Sequence, residues 1–367
     1  MLRPTYSIPD LPPAADLETK SILRAAMDAH RCLAEVKGRA AAIPNQGILI
    51  DTLSLQEAKA SSEIENIVTT QDDLFQADIL PEGPQAGAAK EVARYRDALK
   101  SGFEALLKTD LITNNAIIEM FQILKRTNEG FRATPGTALR NDRTGDMIYV
   151  PPQSALEITE HMTRLERFIN DDASCDLDPL IKLALIHHQF ESIDPFSDGN
   201  GRIGRILNVL YLTKTGLLEI PILYLSRAIT TSKGDYYRLL QAVRDDGAWE
   251  EWVLYILRAV ESTSRVTLEL IEGIRLQMAE YKHRMRNELP KLYSQDLLNN
   301  LFRHPYTRIE FVQSDLGLSR QTAARYLDQL AEKGFVRKRQ IGRNNYYIND
   351  PLISLFLRVS EPPAKSG

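Results

Sequence analysis

HHQFESIDPFSDGNGRIGR, residues 187–205, holds the densest cluster of chemistry-bearing side chains in the chain. The stretch leading into it, DPLIKLALIHHQFESI (178–193), is apolar at most positions and predicts a buried helix. A second helix is expected from about Asn200 to Thr215. Between them lie Asp194, Asp198, Gly199, Asn200 and Gly201, with Arg202, Gly204 and Arg205 on the first turns of the second helix. A glycine-rich turn feeding a helix N-terminus presents unpaired N–H groups in a partial positive potential. Two arginines three residues apart share one side of a helix and can grip phosphate oxygens bidentately. An acid at the mouth of such a loop suits Mg²⁺, which bridges phosphates and one or two carboxylates. A lone GNG would read as a helix start with surface ion pairs. With Asp198, Asn200, Arg202 and Arg205 gathered together, the stretch reads as a nucleotide-phosphate site. No GK[ST] follows the glycines and no strand precedes a GxGxxG, so this is neither a Walker loop nor a dinucleotide fingerprint.

The stretch also resembles the signature of the Fic family, HxFx[DE]GNGRxxR with its usual leading HPF. SDGNGRIGR matches the second half. One position departs: where the family carries its catalytic His, this chain has Asp194. The resemblance implies a mainly α fold, a helical Fic core with a small β-hairpin flap. It also implies adenylylation, in which AMP moves from ATP to a Ser, Thr or Tyr hydroxyl of a protein. In that scheme Asp198 holds Mg²⁺, and Asn200 with the amides of 199–201 stabilises charge on the α-phosphate. Arg202 and Arg205 clamp the outer phosphates, with Gly204 between them. Tyr236 and Tyr237 match a YY pair that lines base and ribose. Asp194 would have to replace the family's base, a role worth roughly 10²–10⁴ in rate. An ordinary Asp, with a pKa of about 3.9 against about 6.5 for His, is a weaker base. It also adds repulsion of order 1–4 kcal/mol beside Asp198 and the phosphates. The nucleotide site is therefore expected to be intact and transfer slowed, unless burial raises the Asp194 pKa.

Toward the N-terminus, residues 1–15 are proline-rich and expected to be extended, and apolar residues from Leu17 to about Ala41 recur at helical spacing. Asp51 or Thr52 is expected to cap a helix, LSLQEAKASSEIENI. Ser61 and Glu65 stand four apart on one face of it, and on spacing alone this is a solvated helix end. The Fic resemblance adds a second reading: Ser61, Glu65 and Asn66 match the inhibitory pattern [ST]xxxE[GN]. There the Glu pairs with the second arginine, Arg205 here, and excludes the γ-phosphate. Helices are expected over 88–108, 113–126 and 154–170. DRTGD flanked by MIYV predicts a hairpin with its tip near Thr144 and Gly145. By resemblance this is a target-docking flap (Thr144, Gly145, Asp146, Met147, Ile148) that holds the target by strand pairing. Trp249 and Trp252 read as core.

Residues 260–289 predict a long charged connector helix. From Pro290 the order helix, turn, helix, two strands resembles a winged helix-turn-helix, with Ser319 capping the second helix. Arg320, Gln321 and Arg325 on that helix, with Arg339 and Arg343 on the wing, are the residues that would contact DNA. A protein-contact role for the module is an equal reading. The expected organisation is an N-terminal helical region (1–87, inhibitory helix about 52–66), Fic core (88–258), connector (259–289), winged helix (290–355) and tail (356–367).

Composition is that of an ordinary globular protein: 43% hydrophobic and 26% charged over 367 residues, net charge −4. Residues 290–350 carry ten Lys and Arg against six Asp and Glu, so the basic surplus is confined to the C-terminal part. Two cysteines, Cys32 and Cys175, form no metal spacing and no disulfide framework. There is no signal-like apolar segment and no run near the roughly 18 apolar residues of a membrane span. A cytoplasmic protein without a membrane partner is expected, with ATP and Mg²⁺ as ligands, a protein substrate for which the chain itself is one candidate, and homodimerisation as an open arrangement. Two alternatives stay open: a non-catalytic ATP sensor with DNA binding, and a Fic enzyme run toward de-AMPylation.

Overall fold

The computed structural model describes residues 6–70, 73–74, 86–140, 147–171, 175–341 and 344–360. Its centre is a pair of helices, α6 (Pro179–Ile193) and α7 (Asn200–Lys214), joined by the signature loop. Helix α6 starts cleanly because Pro179 occupies its first turn and the Asp178 carboxylate accepts the Leu180 N–H at 2.8 Å. It is buried on all faces from Leu180 to Phe190, as its unbroken apolar run predicts. Around the pair stand α1 (Lys20–Ala41), α2 (Gly47–Ile64), α3 (Ala86–Thr109), α4 (Asn114–Lys125), α5 (Ala155–Asn170), α8 (Ser226–Thr231) and α9 (Lys233–Asp246). Strands β1 (Leu139–Arg140) and β2 (Met147–Tyr149) pair antiparallel, Leu139 opposite Tyr149, in a short irregular hairpin.

Helix α10 (Trp249–Glu288) runs unbroken for 40 residues. The expected charged connector at 260–289 is thus the second half of a spine. Its buried stripe (Ile271, Ile274, Met278, Tyr281, Met285) continues the one begun by Trp249 and Trp252, and α1 packs along it. Charge content is a poor guide there because one face of a long helix is enough to bury it.

The C-terminal part is helical on one side and stranded on the other: α11 (Gln295–Arg303), β3 (Tyr306–Thr307), α12 (Ile309–Leu316), α13 (Arg320–Glu332), β4 (Arg337–Ile341), β5 (Asn344–Ile348) and α14 (Asp350–Ser360). The antiparallel order is β3-β5-β4, with Arg337 opposite Ile348 and Gln340 opposite Asn345. Ser319 caps α13 by accepting the Thr322 N–H at 3.2 Å, as expected. The fold is therefore mainly α with a small hairpin beside the signature and a winged helix-turn-helix at the end. No helix among the described residues is long and apolar enough to cross a membrane.

Helix α2 starts earlier than expected, at Gly47, with Gln46 at its N-cap, so Asp51 and Thr52 lie inside it. The Thr52 hydroxyl bonds back to the Ile48 carbonyl at 2.7 Å. Asp51, no longer a cap, reaches outward instead. Its carboxylate accepts from Lys100 of α3 and Arg303 of α11, tying the C-terminal domain to α2. Asp51 is held below the ordinary carboxylate range, because these two cations outweigh the upward push of its burial. Asp51→Asn is expected to weaken this docking by about 1–2 kcal/mol, a factor of 5–30 in the docked population. Amide exchange across 295–303 should quicken by that factor while α6 and α7 keep their protection; unchanged exchange would show that the tie contributes nothing.

Candidate active site

Gly199 is the N-cap of α7, and its φ of +82° turns the chain into the helix without a side-chain cap. A left-handed residue there is costly for anything but glycine. The Asn200 side chain closes the loop: its Oδ1 accepts the Phe196 N–H and its Nδ2 donates to the Phe196 carbonyl, both at 2.8 Å. Most of its amide capacity is therefore spent on shaping the loop. The Asp198 carboxylate stands at the mouth, 65% exposed, with the Lys125 ammonium upon it and Arg202 Nη2 at 4.0 Å. Burial pushes the Asp198 pKa up, but Lys125 and Arg202 draw it below the ordinary carboxylate range.

Both signature arginines are almost fully buried, and each is held by a carboxylate from outside the signature. Arg205 donates through Nε to the Ser61 hydroxyl at 2.8 Å, and through Nη2 to the Ser61 carbonyl at 2.9 Å and Glu65 Oε1 at 2.7 Å. Burial opposes its charge, yet Glu65 and neighbouring groups more than compensate and its pKa stands above the ordinary value. Three features of α2 make this possible. Ser61 and Glu65 share a face, the Ser61 carbonyl lies at the negative end of the helix, and Asn66 follows in the left-handed region at φ +60°. Its Oδ1 accepts from Lys233 of α9 at 3.1 Å. A Cβ at Gly201 would sit 2.5 Å from Glu65 Oε1, so glycine is needed for the contact. Arg202 is held by Glu91 of α3, a residue without any sequence signal, and Lys125 lies 3.7 Å from the same carboxylate. Arg202 Nε is buried without a partner, a donor left over for an anion.

The remaining expected residues divide. Gly204 serves helix packing: a Cβ there would lie 2.7 Å from Glu191 Oε1 and 3.1 Å from the Phe190 ring. Tyr236 is buried and its hydroxyl shares a hydrogen bond with His187 Nε2 at 2.9 Å, whereas Tyr237 is 41% exposed. The two rings meet edge to face at 5.1 Å. Met147 and Ile148 are exposed on β2, while Thr144, Gly145 and Asp146 lie outside the described residues. In the winged helix, Arg320 pairs with Glu310 and Lys338 with Asp328, so part of the basic surface is neutralised within the module. Gln321, Arg325 and Arg339 are exposed, and Arg343 lies outside the described residues.

Asp194 closes α6 in the left-handed region, φ +49° and ψ +59°, and its N–H reaches the Phe190 carbonyl at 3.0 Å. Burial pushes its carboxyl up to about 6, against the pull of Arg132 and Arg244 and with help from Asp198 and Glu65. Glu191, one turn earlier, has a buried Oε1 without a partner, and burial takes it up to about 7 although Arg205 draws it down. A carboxyl of ordinary acidity has thus been moved near neutrality by its surroundings.

Three family models match the chain: Fic/DOC family N-terminal over residues 23–104, Fic/DOC family over 111–212, and the C-terminal domain of protein adenylyltransferase SoFic-like over 277–352. The chain is 31% identical to the protein adenylyltransferase Fic of Drosophila yakuba over 115 residues, 31% of this chain and 22% of that protein. It is 27% identical to the protein adenylyltransferase fic-1 of Caenorhabditis elegans over 112 residues, 30% and 21% of the two. The match thus spans about a fifth of each of these relatives. Among solved structures, a Fic family protein from Desulfovibrio desulfuricans G20 superposes with a TM-score of 0.54 at 20% identity, covering 90% of this chain and 96% of that one. Fic-1 from C. elegans gives 0.52 at 19% identity over 68% and 74%. At these identities the likeness is one of fold.

The Asp194 environment has a thermodynamic signature. Its folded value of about 6 exceeds the ordinary 3.8, so the folded state holds the proton more tightly than the unfolded chain. Stability is therefore lost as pH rises from about 4 through about 6, and the penalty persists above that window. Asp194→Asn removes the penalty, and Asn tolerates the left-handed backbone. The variant should gain roughly 1–3 kcal/mol over wild type between about pH 4 and about pH 7, read from urea midpoints. A pH-independent difference would contradict the buried, proton-hungry carboxyl.

Proposed function

We propose that this chain, which belongs to the Fic/DOC family, moves AMP from ATP to a hydroxyl of a protein and is restrained by its own helix α2. What carries the reading is the buried arginine pair at the start of α7, Arg202 and Arg205, each engaged by an acid that an anion would have to displace. The outer phosphates of ATP would take the places now filled by Glu91 and Glu65. The amides at 199–201 would face the α-phosphate. The hydroxyl oxygen attacks α-phosphorus, the bond to the β-phosphate oxygen breaks, pyrophosphate departs, and Asp194 takes the hydroxyl proton. With its pKa raised to about 6, Asp194 holds that proton more firmly than an ordinary Asp would, which favours the base role.

The site suits Mg²⁺: Asp198 offers one exposed carboxylate, and no cluster of three metal-binding side chains exists among the described residues, so phosphate oxygens would complete the shell. When bound, the ion would neutralise charge on the phosphates; Lys125 would have to yield Asp198 to it.

Glu65 on Arg205 places negative charge where the γ-phosphate belongs, so the resting enzyme is expected to bind ATP poorly. A regulator role is favoured as a second reading by the Asp51–Arg303 tie, which joins the latch helix to the winged-helix domain. DNA or a protein segment bound to that domain would then act on the latch.

Transfer of label from [α-³²P]ATP–Mg²⁺ to the chain itself and to lysate protein tests the activity. Glu65→Gly should raise labelling by at least about tenfold, and Asp194→Asn in that background should lower it by roughly 10²-fold or more. Asp194→His should equal or exceed the Glu65→Gly level when combined with it. Absence of labelling in all of these, with ATP–Mg²⁺ still stabilising the fold, would leave the sensor reading.

A further inference from the structure

The last carbonyls of a helix have no partner within it, and a buried helix end must find them elsewhere. At the end of α6 they are satisfied by three side chains from three different elements. The Glu191 carbonyl accepts from Arg244 Nη2 of α9 at 3.2 Å, and the Ser192 carbonyl from the Tyr149 hydroxyl of β2 at 2.6 Å. The Ile193 carbonyl accepts from Arg132 Nη2 at 3.5 Å, the Asp194 carbonyl from Arg132 Nε at 2.8 Å, and the Pro195 carbonyl from the Arg132 N–H at 2.8 Å. Arg132 also reaches the Pro152 carbonyl, just past the hairpin. The Arg244 guanidinium lies 3.9 Å over the Tyr149 ring and donates to the Ser192 hydroxyl at 3.2 Å. Arg132 and Tyr149 are buried, and burial of Arg132 lowers its pKa without removing its charge.

We propose that Arg132, Tyr149 and Arg244 are positioning residues that fix Asp194 in its left-handed backbone geometry and lock it to the β1–β2 hairpin, so that the target-docking strand and the base move as one body. The inference rests on the reading of Asp194 as base. Two consequences follow from the contacts. A target segment paired to β2 acts on Tyr149, and through its hydroxyl on the last turn of α6. The two guanidiniums also set the charge around Asp194. Arg132 from the loop before β1 and Arg244 from α9 favour its ionised form; Asp198 of the signature loop, Glu65 at the end of α2 and Glu191 on α6 itself oppose it, and the Tyr149 phenol is neutral at working pH. A purely structural cap would not couple to titration of the base.

The test uses the full chain carrying Glu65→Gly, self-labelled with [α-³²P]ATP–Mg²⁺ across about pH 5 to about pH 9. Tyr149→Phe keeps the ring under Arg244 and removes one bond. It should lower kcat by about 10- to 100-fold while KM for ATP stays within about twofold. Arg132→Gln should move the acid limb of the profile to higher pH, and Arg132→Lys should return the limb toward its original position. In parallel, ¹³C-carboxyl NMR follows the Asp194 resonance, assigned by its loss in Asp194→Asn, in Arg132→Gln and the parent. An upward shift of its midpoint is expected. Should Arg132→Gln fail to fold, Arg244→Gln takes its place in the titration. Variants that lose folded protein but keep kcat per folded molecule, the acid limb and the Asp194 midpoint overturn the proposal. If the parent transfers no AMP, the proposed function fails by itself, and the carboxyl titration still decides the cap.

Discussion

The guanidinium of Arg205 governs how this molecule is put together around its site. It is buried beneath the first turn of α7, and a buried cation without partners would cost several kcal/mol. Its partners come from the end of α2: the Ser61 hydroxyl, the Ser61 carbonyl and the Glu65 carboxylate. That requirement fixes where α2 ends, why Asn66 turns left-handed immediately after it, and why Gly201 has no side chain. The same α2 contributes Glu57, fully buried and bonded to the Ser226 N–H at 2.9 Å and to the Tyr95 hydroxyl at 3.3 Å, which joins α8 and α3 to α2. Burial drives Glu57 up to about 7 despite those bonds.

Buried charge is concentrated around Arg205 and the end of α6. Glu57, Glu191 and Asp194 all have carboxyls raised by burial, while Arg202, Arg205, Arg132 and Arg244 supply compensating charge. Each of these guanidiniums has an acceptor: a carboxylate for Arg202 and Arg205, backbone carbonyls for Arg132 and Arg244. The Arg205–Glu65 pair, buried on the arginine side and half-buried on the carboxylate side, is a weak source of net stability, since desolvation offsets much of its Coulomb gain.

Much of this is legible in the sequence. The α6–loop–α7 unit follows from an apolar run, a glycine turn and the helical stretch after it. Ser61, Glu65 and Asn66 are visible through spacing and resemblance, and the Glu65 contact with Arg205 is what that pattern implies; the Ser61 bonds to the same guanidinium are an addition from the structure. What stays hidden is long-range. Glu91 sits 111 residues from Arg202 in an ordinary charged helix, and no local pattern distinguishes it from a solvated acid. Arg132 and Arg244 lie in stretches that read as loop and as helix surface, because capping a remote helix end leaves no periodic trace. The connector hides its role for a related reason: its buried face is narrow, and the charges on its other faces dominate the composition. Asn200 is expected at the phosphate, but its amide is spent largely on the loop, because both of its bonds go to the Phe196 backbone.

Helix α10 sets one further constraint. It holds the site at one end, where Trp252 donates to the Ala184 carbonyl of α6 at 2.8 Å, and the C-terminal domain at the other, where the Tyr281 hydroxyl donates to the Phe335 carbonyl at 2.7 Å. Each residue of an α-helix advances the chain by about 1.5 Å and rotates it by roughly 100°. Insertion or deletion of one residue between Trp252 and Tyr281 would therefore swing the whole winged helix around the spine and carry Arg303 away from Asp51. Substitutions on the solvent face of this segment leave that geometry alone. The length of α10 constrains the molecule more than the identity of its solvent-facing residues does: the helix works as a ruler that keeps the C-terminal domain in register with α2.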